Sequence, residues 1–185
     1  KNKFKSYKKK SFVIAVSGGP DSLGLVALSK TYNFENKINF KYVLVNHNIR
    51  KNSSSEAKKV ENLLRRQNIK LDIINNYKTI SKNIQGEARN ARYNLLTEYC
   101  RKKNIKNLVT AHNLEDQVET FFIRLSRGSG LTGLSSMNEV TKIENSINLY
   151  RPLLDVKKIS LKKISANVFG KYINDPSNKN TKYLR

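Results

Sequence analysis

At 185 residues the chain is long enough for one well-cored domain, and its 38% hydrophobic content excludes a disordered class. Lys and Arg number 36 against 14 acidic residues, a net charge of +22 that favours polyanionic partners, nucleic acid first. A Lys- and Asn-rich composition, as an AT-rich genome produces, accounts for part of that excess.

The chain begins at Lys1 rather than Met, which reads as a trimmed chain or a fragment, and residues 1–11 read as a basic, flexible arm before one domain over 12–185. Phe12, Val13, Ile14, Ala15 and Val16 form the longest apolar run, a short strand buried on both faces. The run is far short of the roughly 20 residues a membrane span needs, and the lysines before it do not make a secretory signal. No membrane partner is expected. A helix follows over 21–31, carrying Leu23, Val26 and Ala27 at helical spacing. Residues 40–45 read as a second strand, and Ser53, Ser54, Ser55 and Glu56 open a helix striped by Val60, Leu63 and Leu64.

Residues 69–74 read as a third strand, and Ile84, Ala88, Ala91, Leu95 and Leu96 mark a helix ending near Lys103. Cys100, alone in the chain, excludes an internal disulfide and reads as a small core residue of that helix in a reducing, cytoplasmic setting. Residues 107–110 read as a fourth strand. The next helix is striped by Leu114, Val118, Phe121, Phe122 and Leu125, a stripe expected to be buried. Periodicity weakens after Gly128; residues 149–154 read as a last strand broken by Pro152, and 159–169 as a last helix. Repeated strand–helix units predict a Rossmann-like α/β fold, a parallel sheet with helices on both faces.

Ser17-Gly18-Gly19-Pro20-Asp21-Ser22 sits between the first strand and first helix, where an open parallel sheet binds ligands. Gly18 and Gly19 let an anion approach the main chain, and the helix N-terminus offers free N–H groups to it. The hydroxyls of Ser17 and Ser22 add donors. Asp21 beside a phosphate would repel it unless Mg2+ bridges the two. The same residues also suit a glycine turn with a helix cap at Asp21 or Ser22. Gln85, Arg89 and Arg92 share one helix face, a donor cluster for phosphate or a solvated basic face. His112, Glu115, Asp116 and Glu119 start a helix just past a strand. These acids suit Mg2+ or a substrate ammonium group, or else serve the helix dipole, Glu115 above all. The spacing lacks the second His of a zinc helix.

In context, Ser-Gly-Gly-x-Asp-Ser resembles the PP-loop of the N-type ATP pyrophosphatases. Further segments resemble the tRNA(Ile)-lysidine synthetase family within it: 45–50 with 55–57, 85–93, 111–120, 127–134, 151–153 and Asp175-Pro176-Ser177-Asn178. The resemblance runs from about residue 12 to the C-terminus, in six ordered motifs. It implies ATP-dependent ligation of free L-lysine to C2 of the wobble cytidine of an isoleucine tRNA with a CAU anticodon, through an adenylated tRNA. ATP and Mg2+ are the implied cofactors, and a homodimer is an option. The implied roles are catalysis by Asp21, Arg89, His112 and Asp116, nucleotide binding by Ser17, Gly18, Gly19, Pro20, Asp21, Ser22 and Asn46, metal binding by Asp21, and substrate binding by Arg92, Glu115, Glu119 and Arg127.

Two departures matter: Asn46 and Glu115 stand where members often have Asp, so a charged role at 46 is in doubt. The chain also stops at Arg185, where many members continue into tRNA-binding domains. Rival readings are a tRNA thiolase of the same superfamily, which a lone cysteine argues against, a catalytically inactive RNA-binding module, and a synthetase acting on a small metabolite.

Overall fold

The computed structural model describes residues 11–48, 52–77, 84–130, 133–144 and 147–172. Residues 1–10 of the expected basic arm, the Gln85 side chain, Leu131, Thr132 and the Asp175–Asn178 motif lie outside the described residues. The elements run β1 (Ser11–Val16), α1 (Pro20–Asn36), β2 (Asn39–Asn46), α2 (Ser53–Arg65), β3 (Leu71–Asn75), α3 (Ile84–Lys102), β4 (Asn107–Val109), α4 (Leu114–Ser126), β5 (Val140–Ile143), β6 (Ile147–Tyr150) and α5 (Lys158–Phe169).

Six strands form one sheet in the order β3-β2-β1-β4-β6-β5. The first five are parallel to their neighbours, and β5 pairs antiparallel with β6 at the edge. The alternation of β1 explains the two faces, because successive strand residues point to opposite sides. Phe12, Ile14 and Val16 pack with Leu23, Leu25 and Val26 of α1, Val60 and Leu64 of α2, and Leu161 and Phe169 of α5. Val13 points the other way, to Leu96 and Cys100 of α3. Helices therefore cover both faces, as the strand–helix alternation predicts.

Three sequence expectations change. The helix expected over 21–31 runs to Asn36, closed by Lys37 in the left-handed region (φ 47°). The last parallel strand ends at Tyr150, before Pro152, because residues 151–155 turn out of the sheet. The sheet is also not wholly parallel, since the short, half-exposed strand β5 adds an antiparallel edge.

The fourth difference is larger. The stripe of α4 was expected to face a core, yet no residue of that helix is buried. Val118 (48%), Phe121 (38%), Phe122 (60%) and Leu125 (49%) are exposed. The periodicity correctly forecasts a helix; burial needs a partner surface, and none of the described elements supplies one. The helix is held instead at its flank, where Gln117 bonds both ways with Met137 and Arg124 donates to the carbonyls of Gly133 and Ser135.

Candidate active site

The strand order reverses beside β1, so the crevice beyond its carboxyl end lies between the turn after β1 and the segment after β4. Seventeen to 22 form the first wall. Gly18 has φ +83°, a region that disfavours any side chain, and this turns the chain from strand to helix. The loop then bonds to itself. The buried Ser22 hydroxyl accepts from the Ser17 N–H (3.2 Å) and lies 3.1 Å from the Ser17 hydroxyl, and it donates to the Gly19 carbonyl (3.0 Å). The two serines thus brace the loop.

Pro20 takes the first helical position, where its missing N–H costs nothing. No side chain caps α1. The first-turn N–H groups of Asp21 and Ser22 are therefore left to an anion, at the positive end of a 17-residue helix. The neighbouring helices differ. Asn113 and Asp116 close α4 in a reciprocal capping box (3.1 and 3.0 Å). The first N–H of α5, on Lys158, is taken by the Glu115 carboxylate at 2.8 Å.

Asp21 sits at the centre. Its Oδ1 is buried with no hydrogen-bond partner, and its Oδ2 lies 3.7 Å from the Lys158 ammonium. Burial raises its pKa, opposed by Lys158 and then reinforced by Asp116. An orphaned, desolvated carboxylate oxygen beside an uncapped helix start suits a hard cation bridged to phosphate. Among the described residues no three His, Cys, Asp or Glu side chains converge on a metal position. Such an ion would take Asp21 as its protein ligand and phosphate oxygens for the rest.

The second wall carries His112, which pairs with the Thr110 hydroxyl at 2.9 Å. Burial drives its pKa down to about 4, offset by Asp116 and helped by Arg151, Arg89 and Arg92. The imidazole is neutral at physiological pH, so it serves as a hydrogen-bonding group or proton acceptor rather than a cation. Arg89 and Arg92 both lie over the Tyr93 ring, at 5.2 and 5.6 Å from its centroid. Cation–π contact of this kind holds both guanidinium groups beside one ring.

Asn46 is buried at the end of β2 in a neutral cluster. Its Nδ2 meets Asn48 Oδ1 (2.8 Å), Asn75 Oδ1 (3.0 Å) and Ser54 Oγ (3.2 Å), and its Oδ1 accepts from the Asn48 N–H. It ties β2 to β3 and offers no charge.

The structure thus brings together Ser17 to Ser22, His112, Glu115, Asp116, Arg89 and Arg92. Glu115 caps α5 through one carboxylate oxygen. Glu119 stands exposed a turn along α4. Arg127, the C-cap of α4, lies about 16 Å down the helix from Asp116 at 1.5 Å per residue and does not join the cluster.

Three residues near the site carry no role in the sequence reading, although His47 and Arg151 fall in the segments 45–50 and 151–153. Arg151 is 9% exposed and holds β5 through Asn138 O (2.9 Å) and Thr141 Oγ1 (2.8 Å), with its Nε unpartnered. His47 has a buried, unpartnered Nδ1, and burial, aided by Arg92, lowers its pKa. Lys158 stands in a lysine-rich run that no spacing rule separates from a solvated surface.

This constellation, at the strand-order reversal of a doubly wound α/β sheet, suits the phosphates of a nucleotide. A PP-loop domain family model matches residues 1–185, and the chain belongs to that family. It is 46% identical over 175 residues to a tRNA(Ile)-lysidine synthase of Orientia tsutsugamushi, covering 93% of this chain and 39% of that one. It is 41% identical to the tRNA(Ile)-lysidine synthase of Wolbachia pipientis wMel over 93% of this chain and 40% of that protein. Its counterpart in Rickettsia typhi is 38% identical over 177 residues. The chain spans about two fifths of the length of these relatives. Among solved structures, a U34-tRNA thiolase from Methanococcus maripaludis with its [4Fe-4S] cluster superposes with a TM-score of 0.74 at 18% identity, over 93% of this chain and 62% of that one. That likeness is one of fold.

Proposed function

We propose that the chain is the nucleotide-using domain of a tRNA(Ile)-lysidine synthase. The observation that carries this reading is the uncapped N-terminus of α1 set beside the orphaned Asp21 carboxylate. A phosphate chain needs the first, and its Mg2+ needs the second.

In this reading the wobble-cytidine O2 of a CAU-anticodon isoleucine tRNA attacks the α-phosphorus of ATP, and pyrophosphate leaves. The amine of free lysine then attacks C2, AMP departs with the oxygen, and the amine loses a proton. The α1 amides hold the phosphates, and Arg89 or Arg92 meets the charge that grows on the α-phosphate. Bound Mg2+ would neutralise phosphate charge from its place on Asp21. Asp116 is fixed by the capping box and Thr110 orients the neutral His112, so both sit ready to take the amine proton or to balance positive charge on the base. We assign Glu119 and Arg127 to the binding of tRNA or lysine.

Thiolation is the weaker reading. Cys100 is fully buried among Val13, Leu96 and Leu108 on the α3 side of the sheet, and burial pushes its thiol up to about 12.

The test is incubation of the purified chain with ATP, Mg2+, labelled lysine and the isoleucine tRNA, followed by mass analysis of its nucleosides. Lysidine formation, abolished in Asp21→Asn and Asp116→Asn, is expected. Wild-type rates in both variants would overturn the residue roles, and sulfur in place of lysine would overturn the reaction.

A further inference from the structure

We infer that Lys158 is the cation that receives the β- and γ-phosphates of ATP and then the departing pyrophosphate. This rests on the ATP reading above and adds a residue to it.

Gly24 of α1 lacks a Cβ, and one built there would stand 3.2 Å from the Cβ, Cδ2 and carbonyl oxygen of Leu161. The two helix backbones therefore approach closely at that point. Asp21 precedes Gly24 by three residues, as Lys158 precedes Leu161, and three residues is nearly one turn. The Asp21–Lys158 pair and the Gly24–Leu161 contact are thus successive rungs between the same two helices. It follows that α1 and α5 run side by side with their N-termini at the same end. Both starts lie at the Asp21 end of the pair.

The orientation is fixed from a second direction. Glu115, next to Asp116 in the first turn of α4, accepts the Lys158 N–H at 2.8 Å. The main chain of Lys158 is therefore pinned between α1 and α4, while its side chain stays 42% exposed. The ammonium stands 3.7 Å from Asp21 Oδ2, beyond the 2.7–2.9 Å of a charge-assisted hydrogen bond. It is a charge near a charge, not locked in a direct hydrogen bond. Lys162, one turn further along α5, acts on Asp21 in the same sense.

A cation bound to Asp21 would repel that ammonium. Phosphate oxygens brought by the same nucleotide offer it new partners at the same place. The α1 amides and Lys158 flank Asp21, so a phosphate chain laid across Asp21 meets amides at one end and an ammonium at the other. A single ammonium suits the terminal phosphates, where most of the charge of ATP resides, and a point charge suffices for them.

The experiment compares wild type, Lys158→Met and Lys158→Arg in calorimetric titrations with Mg-ATP, Mg-pyrophosphate and AMP. Lys158→Met is expected to weaken Mg-ATP and Mg-pyrophosphate about tenfold to a hundredfold, the range of one charged hydrogen bond, and to leave AMP unchanged. Lys158→Arg should recover most of the loss. Equal weakening of AMP, or unchanged Mg-ATP affinity in Lys158→Met, overturns the assignment while sparing the ATP reading. A wild-type chain that binds neither Mg-ATP nor Mg-pyrophosphate sinks both. Thermal melts of the variants control for folding, since a half-exposed pair adds little to stability.

Discussion

Replacing Gly24 by Ala sets two opposed effects against each other, and the structure decides between them. Within a helix interior, Ala is favoured over Gly by about 1 kcal/mol, so propensity alone predicts a stabilised variant. The new methyl would stand 3.2 Å from three atoms of Leu161, whereas carbon contacts are optimal at about 3.5–4.0 Å. Rotation of the Leu161 side chain moves Cδ2 but neither its Cβ nor its carbonyl oxygen. Relief therefore requires α5 to retreat by a few tenths of an ångström. Leu161 is fully buried under α1, and overpacking in such a place costs about 1–3 kcal/mol. The net expectation is a destabilisation of about 1 kcal/mol. Urea denaturation of wild type and Gly24→Ala measures it directly. Retreat of α5 also draws Lys158 away from Asp21, so Mg-ATP affinity should fall together with stability. A variant stabilised by the full propensity gain, with unchanged nucleotide affinity, would refute the close-approach argument.

Other expectations follow from single contacts. Asn113→Ala removes the capping box of α4 and should cost about 1 kcal/mol in a denaturant titration, with loss of lysidine formation because Asp116 is released. His112 has a folded pKa of about 4, below its unfolded value, so the unfolded state binds the proton first as pH falls from 7 to 4. Stability should therefore drop over that window by at most about 3 kcal/mol, partly offset by Asp21, whose raised pKa acts in the opposite sense. Urea midpoints measured across the window should fall less steeply in His112→Gln, and an unchanged slope there would show the imidazole is not the cause. Affinity for tRNA should fall at least tenfold between about 50 and about 200 mM salt if the +22 charge makes the contact, and a flat response would exclude it.

How much of this was legible in the sequence depends on whether the information is local. The strand at Phe12–Val16 and the glycine turn after it could be read because apolar run, turn residues and helix start follow one another directly. Asn113, within the segment 111–120, carries no role in the sequence reading, because its role is a hydrogen bond with Asp116, three residues away among other polar residues. The helical stripe of α4 was read correctly as a helix and wrongly as buried, because period reports which face is apolar and not whether anything covers it. Strand β5 has four residues with alternating exposure, and its pairing with β6 depends on a register that no sequence rule supplies. Glu115 and Lys158 lie 43 residues apart, and only the fold reveals that one closes the helix the other begins.

The acid distribution gives the site its character. A chain with 36 cations and 14 acids has few carboxylates, yet Asp21, Asp116 and Glu115 are gathered where three helices start. Two of them have structural bonds there: Glu115 satisfies α5, and Asp116 satisfies the turn before α4. Asp21 caps nothing, and its inner oxygen is unpaired. A carboxylate with a buried, unpaired oxygen is costly even beside Lys158, and burial raises its pKa. A ligand that brings its own cation would relieve that cost at the moment it binds. A bare phosphate would not, because it adds like charge to the carboxylate. In the proposed reading the site therefore favours a metal-bound polyphosphate over a free anion.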